Sequence, residues 1–335
     1  MMRTSINDRV CYCASNLAYL VDGNGDFLPN KYPHKYVNNP YLKFVKEAGL
    51  QHVKAFANSS GIFWDKINAV IVMEFPGFTI LAFRGTLPPV PCTVAGIQDW
   101  IQDFCLAPKE VNGYPGLVHA GIYDGYASLK DELFNYLSSL DPKSIWVTGH
   151  SKGGPMATYG VWDCLQKGFQ PHYITTFASP RPGSEGFASE YMQALRQAHL
   201  IQTRYENDLD IVPFLPTEPE TALELAFALG VIGGIAGVDG HPDIAALFEF
   251  LAGVFAADAY GDYTHVGTLS YITADHKIVP ADSAPAKARI HQFTKLFEDK
   301  WFWDAFGSIG DAHLISIGHG YQEGVFPGIA APAKS

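Results

Sequence analysis

The run most able to do chemistry is Gly149-His150-Ser151-Lys152-Gly153-Gly154, a G-x-S-x-G pattern. Before it stand Ser144 to Thr148, apolar and β-branched at strand spacing, and after it Pro155 to Trp162, small and apolar at helical spacing. A strand, a sharp turn and a helix in that order thrust the central side chain into an exposed, strained position, where a neighbouring base can take its proton. The helix N-terminus then faces any oxyanion that develops on an attacked carbonyl. In a chain with 32 glycines the bare pattern is weak, and the strand and helix around it are what mark Ser151 as a nucleophile.

A serine nucleophile needs a base, and the base needs an orienting carboxylate. In α/β-hydrolase topology the order is Ser, then Asp or Glu, then His, with the acid at a strand end. After Ser151, the strand expected over 200–205 runs into Glu206, Asp208 and Asp210; spacing does not choose among the three. The histidines beyond are His241, His265, His276, His291, His313 and His319. His241 and His265 lie in or beside an apolar insert, and His276 in the hairpin turn Ala274-Asp275-His276-Lys277. His313 and His319 lie in a Gly-rich terminal segment, a loop of the kind that presents a base.

The elements that must position these groups read as follows. A helix is expected over 4–22 and a loop over 23–40. Residues 69–75 and 78–84 form two strands joined at Pro76-Gly77. Residues 97–105, 122–140 and 185–198 read as helices, and 173–178 as a strand. Strands alternating with helices imply a single α/β domain over 1–335, with a mostly parallel sheet covered on both faces. One segment breaks the pattern. From Glu218 to Asp262 there are eight acidic residues and no Lys or Arg, wrapped around two apolar helical stretches. The longest uncharged run, Leu225 to Val238, is about 21 Å long as a helix, short of the roughly 30 Å hydrocarbon core of a bilayer. It is therefore read as a helical hairpin on the core or a cap over the site, not as a transmembrane span.

The net charge of −11 argues against nucleic acid or a strongly anionic membrane as an electrostatically recruited partner. The N-terminus lacks the apolar core of a secretory signal, and the five cysteines form no metal or disulfide framework. A reduced, cytoplasmic setting is the simplest expectation; a Cys92–Cys105 bridge would accompany signal-independent export.

Several motifs in order give the chain a resemblance. Phe83-Arg84-Gly85-Thr86, Asp99-Trp100-Ile101-Gln102-Asp103 and Val118-His119-Ala120-Gly121-Ile122 precede GHSKGG, and Phe177-Ala178-Ser179-Pro180-Arg181-Pro182-Gly183 follows it. Next come Asn207-Asp208-Leu209-Asp210-Ile211-Val212-Pro213 and Ala312-His313-Leu314-Ile315. This set resembles the class 3, fungal-lipase-like branch of the α/β-hydrolases. The resemblance implies Asp210 as triad acid, since it stands immediately before xVP, and favours His313 over His319 as base. It implies an oxyanion hole from the backbone N–H groups of Thr86 and Lys152. Lys152 replaces the usual leucine, and its side chain is expected to be solvated or ion-paired. The separation of 103 positions from Asp210 to His313 exceeds the family's usual gap, and the insert at 218–262 accounts for the excess.

The expected activity is hydrolysis of lipid acyl esters through an acyl-enzyme, with no metal or organic cofactor and with transient contact at a lipid interface. Alternatives are a phospholipase A1, a serine acyltransferase and a catalytically silent lipid-binding scaffold. The stretch Leu87 to Gly96, where this family carries its lid, and the insert would together cover an acyl groove. Deleting residues 221–258 should therefore change acyl-chain-length preference or activity at interfaces, read over a series of ester chain lengths. Unfolding, or no change in either property, would contradict a capping role.

Overall fold

Alternating side chains on one strand divide the interior in two. Along Asn68–Phe75, Val70 and Val72 enter one apolar cluster, while Ala69, Ile71 and Met73 enter another on the opposite side. A strand buried on both sides must be apolar almost throughout, as this one is. The computed structural model describes residues 4–58, 67–86, 108–216, 249, 252–253, 262–289, 308, 310–316 and 318–329.

The central sheet has eight strands whose spatial order follows the chain. They are β1 (His52–Asn58), β2 (Asn68–Phe75), β3 (Phe78–Phe83), β4 (Ile145–His150), β5 (Pro171–Phe177), β6 (Gln202–Asn207), β7 (Thr268–Ile272) and β8 (Ile278–Pro280). The strands from β3 to β7 run parallel, each hydrogen-bonded to the next. The flanks are antiparallel: β1 pairs with β2, β2 with β3, and β7 with β8. Helices α1 (Ile6–Leu17), α2 (Pro40–Glu47) and α6 (Gly320–Val325) cover one face. On the other lie α3 (Ala120–Leu140), α4 (Gly153–Gln166) and α5 (Glu185–Gln197). The fold is that of an α/β-hydrolase.

The parallel order has a consequence for chemistry. The C-terminal ends of β3, β4, β5 and β6 open on the same edge, so Arg84 to Thr86, Ser151, Ala178 to Gly183 and Asp208 to Asp210 gather there. In open α/β sheets ligands bind at this edge.

The expected hairpin at Pro76-Gly77, the strands over β4, β5 and β6, and helices α3, α4 and α5 are all present within a few residues. The helix expected over 4–22 ends earlier, at Leu17, and passes into a 3₁₀ turn over Ala18–Leu20. Its start is set by a capping box in which Ser5 and Asp8 bond each other's backbone. The stretch read as loop holds single helical turns at Leu28–Lys31 and Pro33–Lys35, each with proline at its first positions. Strand β1, helix α2 and helix α6 were not foreseen. The helix over 97–105, Cys92 and Cys105 lie outside the described residues, as does nearly all of 218–262. Among the described residues, no helix is long and apolar enough to cross a membrane. Cys11, Cys13 and Cys164 are buried free thiols.

Arginines fasten the chain on either side of 217–261. Arg181 donates to the carbonyls of Phe214 (2.7 Å) and Pro216 (2.6 Å) where the chain leaves the sheet. Arg204 donates to Val266 and Gly267 where it returns, and to Glu206 at 2.7 Å. Glu206 also faces Arg289 at 3.2 Å.

Candidate active site

The turn after β4 is built on close approach. A Cβ on Gly149 would meet the carbonyl oxygen of Gly153 at 2.0 Å, and one on Gly153 would meet that of Phe83 at 2.2 Å. Only glycine at both places lets the helix start directly against the strand end. Between them Ser151 takes a φ of 57°, a left-handed conformation that costs a non-glycine residue about 1–2 kcal/mol. That strain aims its side chain away from the sheet, and α4 begins two residues later.

The histidine and the aspartate expected as base and acid meet it there. His313 Nε2 lies 3.0 Å from Ser151 Oγ. His313 Nδ1 lies 3.0 and 3.1 Å from the two oxygens of Asp210. A carboxylate only accepts, so Nδ1 carries the proton, and Nε2 is left to accept from the serine hydroxyl. All three side chains are buried. Asp210 is oriented in turn, for its Oδ1 accepts from the Val212 N–H at 3.0 Å and its Oδ2 from the Tyr321 hydroxyl at 2.7 Å. Burial, and then the Asp210 charge, push the Tyr321 phenol well above its ordinary value, so it stays a donor.

The other candidates have other employment. Glu206 belongs to the arginine cluster, and Asp208 accepts from the Tyr271 hydroxyl at 2.6 Å. Burial raises the Asp208 carboxyl above the usual range. His265 lies 3.6 Å from Glu206, His276 is exposed on its turn, and His319 faces Asp311 at 3.4 Å. His241, His291, residues 87–96 and the Asp99 to Asp103 motif lie outside the described residues. Lys152 is not simply solvated: its ammonium donates to the Asn68 side-chain oxygen at 2.8 Å. Thr86 stands at the end of the strand beside the elbow. Its neighbour Gly85 is so near that a Cβ there would sit 2.8 Å from Ser151 Cβ.

Reading the sequence missed the groups that hold the base. His313 closes a helical turn over 310–313, and Asn207 donates to the Ala312 carbonyl at 3.0 Å. His150 contacts the His313 carbonyl at 2.8 Å, and the Tyr12 hydroxyl donates to that of Ile315. Asn207 and His150 lay inside recognised motifs, where they passed as spacers. Tyr321 and Tyr12 carry no signal in one sequence.

A sequence profile of the family "Lipase (class 3)" matches residues 80–220. Among curated proteins, the chain is 27% identical over 175 residues to phospholipase A1-II 6 of Oryza sativa subsp. japonica, covering 42% of this chain and 40% of that protein. It is 25% identical over 186 residues to a secreted mono- and diacylglycerol lipase A of Penicillium cyclopium, covering 48% and 55%. The chain thus spans about half the length of the curated relatives it matches. Among solved structures, a fungal lipase–inhibitor complex aligns over 94% of this chain and 99% of its own, with TM-score 0.54 and 17% identity. A Rhizomucor miehei lipase propeptide complex aligns over 94% and 83%, with TM-score 0.52 and 19% identity. At such identity these likenesses speak for the fold. Residues 80–220, which hold Ser151 and Asp210, are thus similar to class 3 lipases. Ser151, Asp210 and His313 meet at the edge where the parallel strands open.

Two buried histidines give the fold an acid limit on stability. Burial and the neighbouring His313 hold His150 well below the ordinary imidazole value. Burial, then the charges of Arg204, Arg181 and Arg289, do the same to His265. Unfolding returns both to about 6.5. Below that pH the unfolded chain binds more protons than the folded one, so stability falls as pH falls. Urea unfolding should show a loss of up to about 1.4 kcal/mol per ring per pH unit below about 6.5. Stability that stayed level from about pH 6.5 to 5 would contradict neutral burial of these rings.

Proposed function

We propose that this chain hydrolyses carboxylic esters of lipids through an acyl-enzyme formed on Ser151. The observation that carries the reading is the unbroken row from Ser151 Oγ through the His313 ring to the Asp210 carboxylate, with each gap between 3.0 and 3.1 Å. Ser151 Oγ attacks the ester carbonyl carbon while its proton passes to His313 Nε2. Asp210 holds the ring and stabilises the imidazolium. The tetrahedral oxyanion takes hydrogen bonds from the backbone N–H groups of Thr86 and Lys152. One such donor is worth roughly 3–4 kcal/mol in the transition state. Collapse breaks the ester C–O bond, and His313 returns the proton to the leaving alcohol. Water then attacks the acyl-enzyme, gives its proton to His313, and the acid departs as Ser151 recovers its own.

The lipid character of the ester rests on the family and on its named relatives. One acts on mono- and diacylglycerols and another is a phospholipase A1. The second supports a parallel reading in which the substrate is a phospholipid. Contact with the lipid surface that delivers the ester is transient in either reading.

Both are tested by fatty-acid release from p-nitrophenyl esters of increasing chain length, a diacylglycerol and a phosphatidylcholine. Wild-type protein should hydrolyse at least one, and Ser151→Ala should lose at least about a thousandfold of that rate. Turnover untouched by Ser151→Ala, or no turnover by the wild type, would refute the proposal. Tyr321→Phe removes a donor to Asp210 and an acceptor for the Asn207 N–H, which reaches the Tyr321 oxygen at 3.0 Å. It should lower kcat about tenfold with little change in KM. An unchanged kcat would show that Asp210 needs no such support.

A further inference from the structure

The residue beside the nucleophile bonds the main chain of the base. His150 Nε2 lies 2.8 Å from the carbonyl oxygen of His313, and its Nδ1 lies 2.7 Å from the Tyr19 hydroxyl. A carbonyl only accepts, so Nε2 bears the proton and donates. Nδ1 of the neutral ring is then an acceptor, and Tyr19 donates to it. The chain of bonds therefore runs one way, from Tyr19 to His150 to the His313 backbone. Ring packing follows the same line, with His150 and His313 centroids 4.8 Å apart and Tyr19 meeting His150 edge-on at 5.8 Å.

Tyr19 reaches this place for a stated reason. It lies in the 3₁₀ turn that follows α1, and a Cβ on Gly85 would come within 2.4 Å of its hydroxyl oxygen. Only a bare glycine in the Arg84 to Thr86 strand end leaves room for it. The Arg84 guanidinium lies over the Tyr19 ring at 5.8 Å and donates to the Val21 carbonyl at 2.7 Å, which fixes the turn.

We infer that His150 is a positioning residue for His313, and that the Tyr19–His150 pair sets the separation between nucleophile and base. The inference rests on the proposed roles of Ser151 and His313. His150 shares a peptide bond with Ser151, so its bond to the His313 carbonyl ties the backbones of the two reacting residues across 163 positions of sequence. Among the described residues the segment of His313 pairs with no strand, and side-chain bonds to its carbonyls help to set its register. Asn207 holds the preceding carbonyl and Tyr12 the carbonyl of Ile315, while His150 is the side chain on the carbonyl of His313 itself. A neutral ring is also the right neighbour for a base that becomes charged during turnover. A cation at 4.8 Å would oppose proton transfer to His313, and burial keeps His150 uncharged.

The test compares His150→Phe, which keeps a flat ring without the donor, with His150→Gln, whose amide N–H can reach the same carbonyl. Two readouts are taken on the full chain: kcat and KM for the best p-nitrophenyl ester, and the downfield proton resonance of the His313–Asp210 bond. His150→Phe should lower kcat about 10- to 100-fold with KM within about threefold, because misplacement of a base acts on the chemical step. It should also broaden or shift the downfield proton. His150→Gln should recover kcat to within about fivefold of wild type. Wild-type kcat in His150→Phe, or a loss in His150→Gln as deep as in His150→Phe, would overturn the inference. If circular dichroism shows that His150→Phe does not fold, Tyr19→Phe decides. A kcat lower by about 3- to 10-fold supports the pair, and an unchanged kcat overturns it. Ser151→Ala should abolish turnover while leaving the downfield proton in place. A wild type that cleaves no ester defeats the hydrolase reading alone. The proton resonance then judges the strut without it, and an unmoved resonance in His150→Phe overturns the inference.

Discussion

The 3.0 Å separation between Ser151 Oγ and His313 Nε2 is what the rest of the structure serves. The serine belongs to the sheet, held on both sides by glycine contacts with β3 and by the start of α4. The histidine does not. It stands on a short segment whose main chain is gripped by core side chains and whose Ile315 packs into the core. Asn207 takes the carbonyl before it, His150 its own, and Tyr12 the one two residues later. Tyr321, from the helix that follows, closes the circle by bonding Asp210 and accepting from the Asn207 N–H. The His313 segment is thus held in part by buried polar bonds, where each unpaired partner would cost about 1–3 kcal/mol.

This arrangement explains why both sheet faces matter to one edge. The face carrying α3, α4 and α5 gives the elbow its rigid floor, since α4 packs there behind Ser151. The opposite face carries α1 with the 3₁₀ turn after it, and α6, and these supply Tyr12, Tyr19 and Tyr321. From this face Tyr12 bonds the His313 segment directly, and Tyr19 reaches it through His150. The arginine cluster plays a related part further along the edge. Arg181 and Arg204 pin the chain before and after 217–261, so the turn bearing Asp210 keeps its place whatever that long segment does.

Some of this was legible in the sequence because it is local. A strand, two spaced glycines and a helix make an elbow in a few residues, and the hairpin at Pro76-Gly77 needs only its own turn. Naming Asp210 over Glu206 and Asp208 took the resemblance, because all three stand at one strand end. The structure separates them by what each faces: arginines for Glu206, Tyr271 for Asp208, a histidine for Asp210. Strand β1 was missed because its pattern is broken by Lys54 and its burial comes from pairing with β2. Tyr12, Tyr19 and Tyr321 were missed for a deeper reason. Their partners lie 111 to 303 residues away in sequence, and no local pattern marks such a bond.

The central claim is that Ser151 is a nucleophile activated by His313 on Asp210. The most direct measurement is labelling of the full chain with a fluorophosphonate, followed by intact mass and peptide mapping. A single adduct on Ser151 is expected, formed quickly in wild type and in His319→Ala and far more slowly in His313→Ala. An adduct on another residue, or equal labelling rates in wild type and His313→Ala, would contradict it.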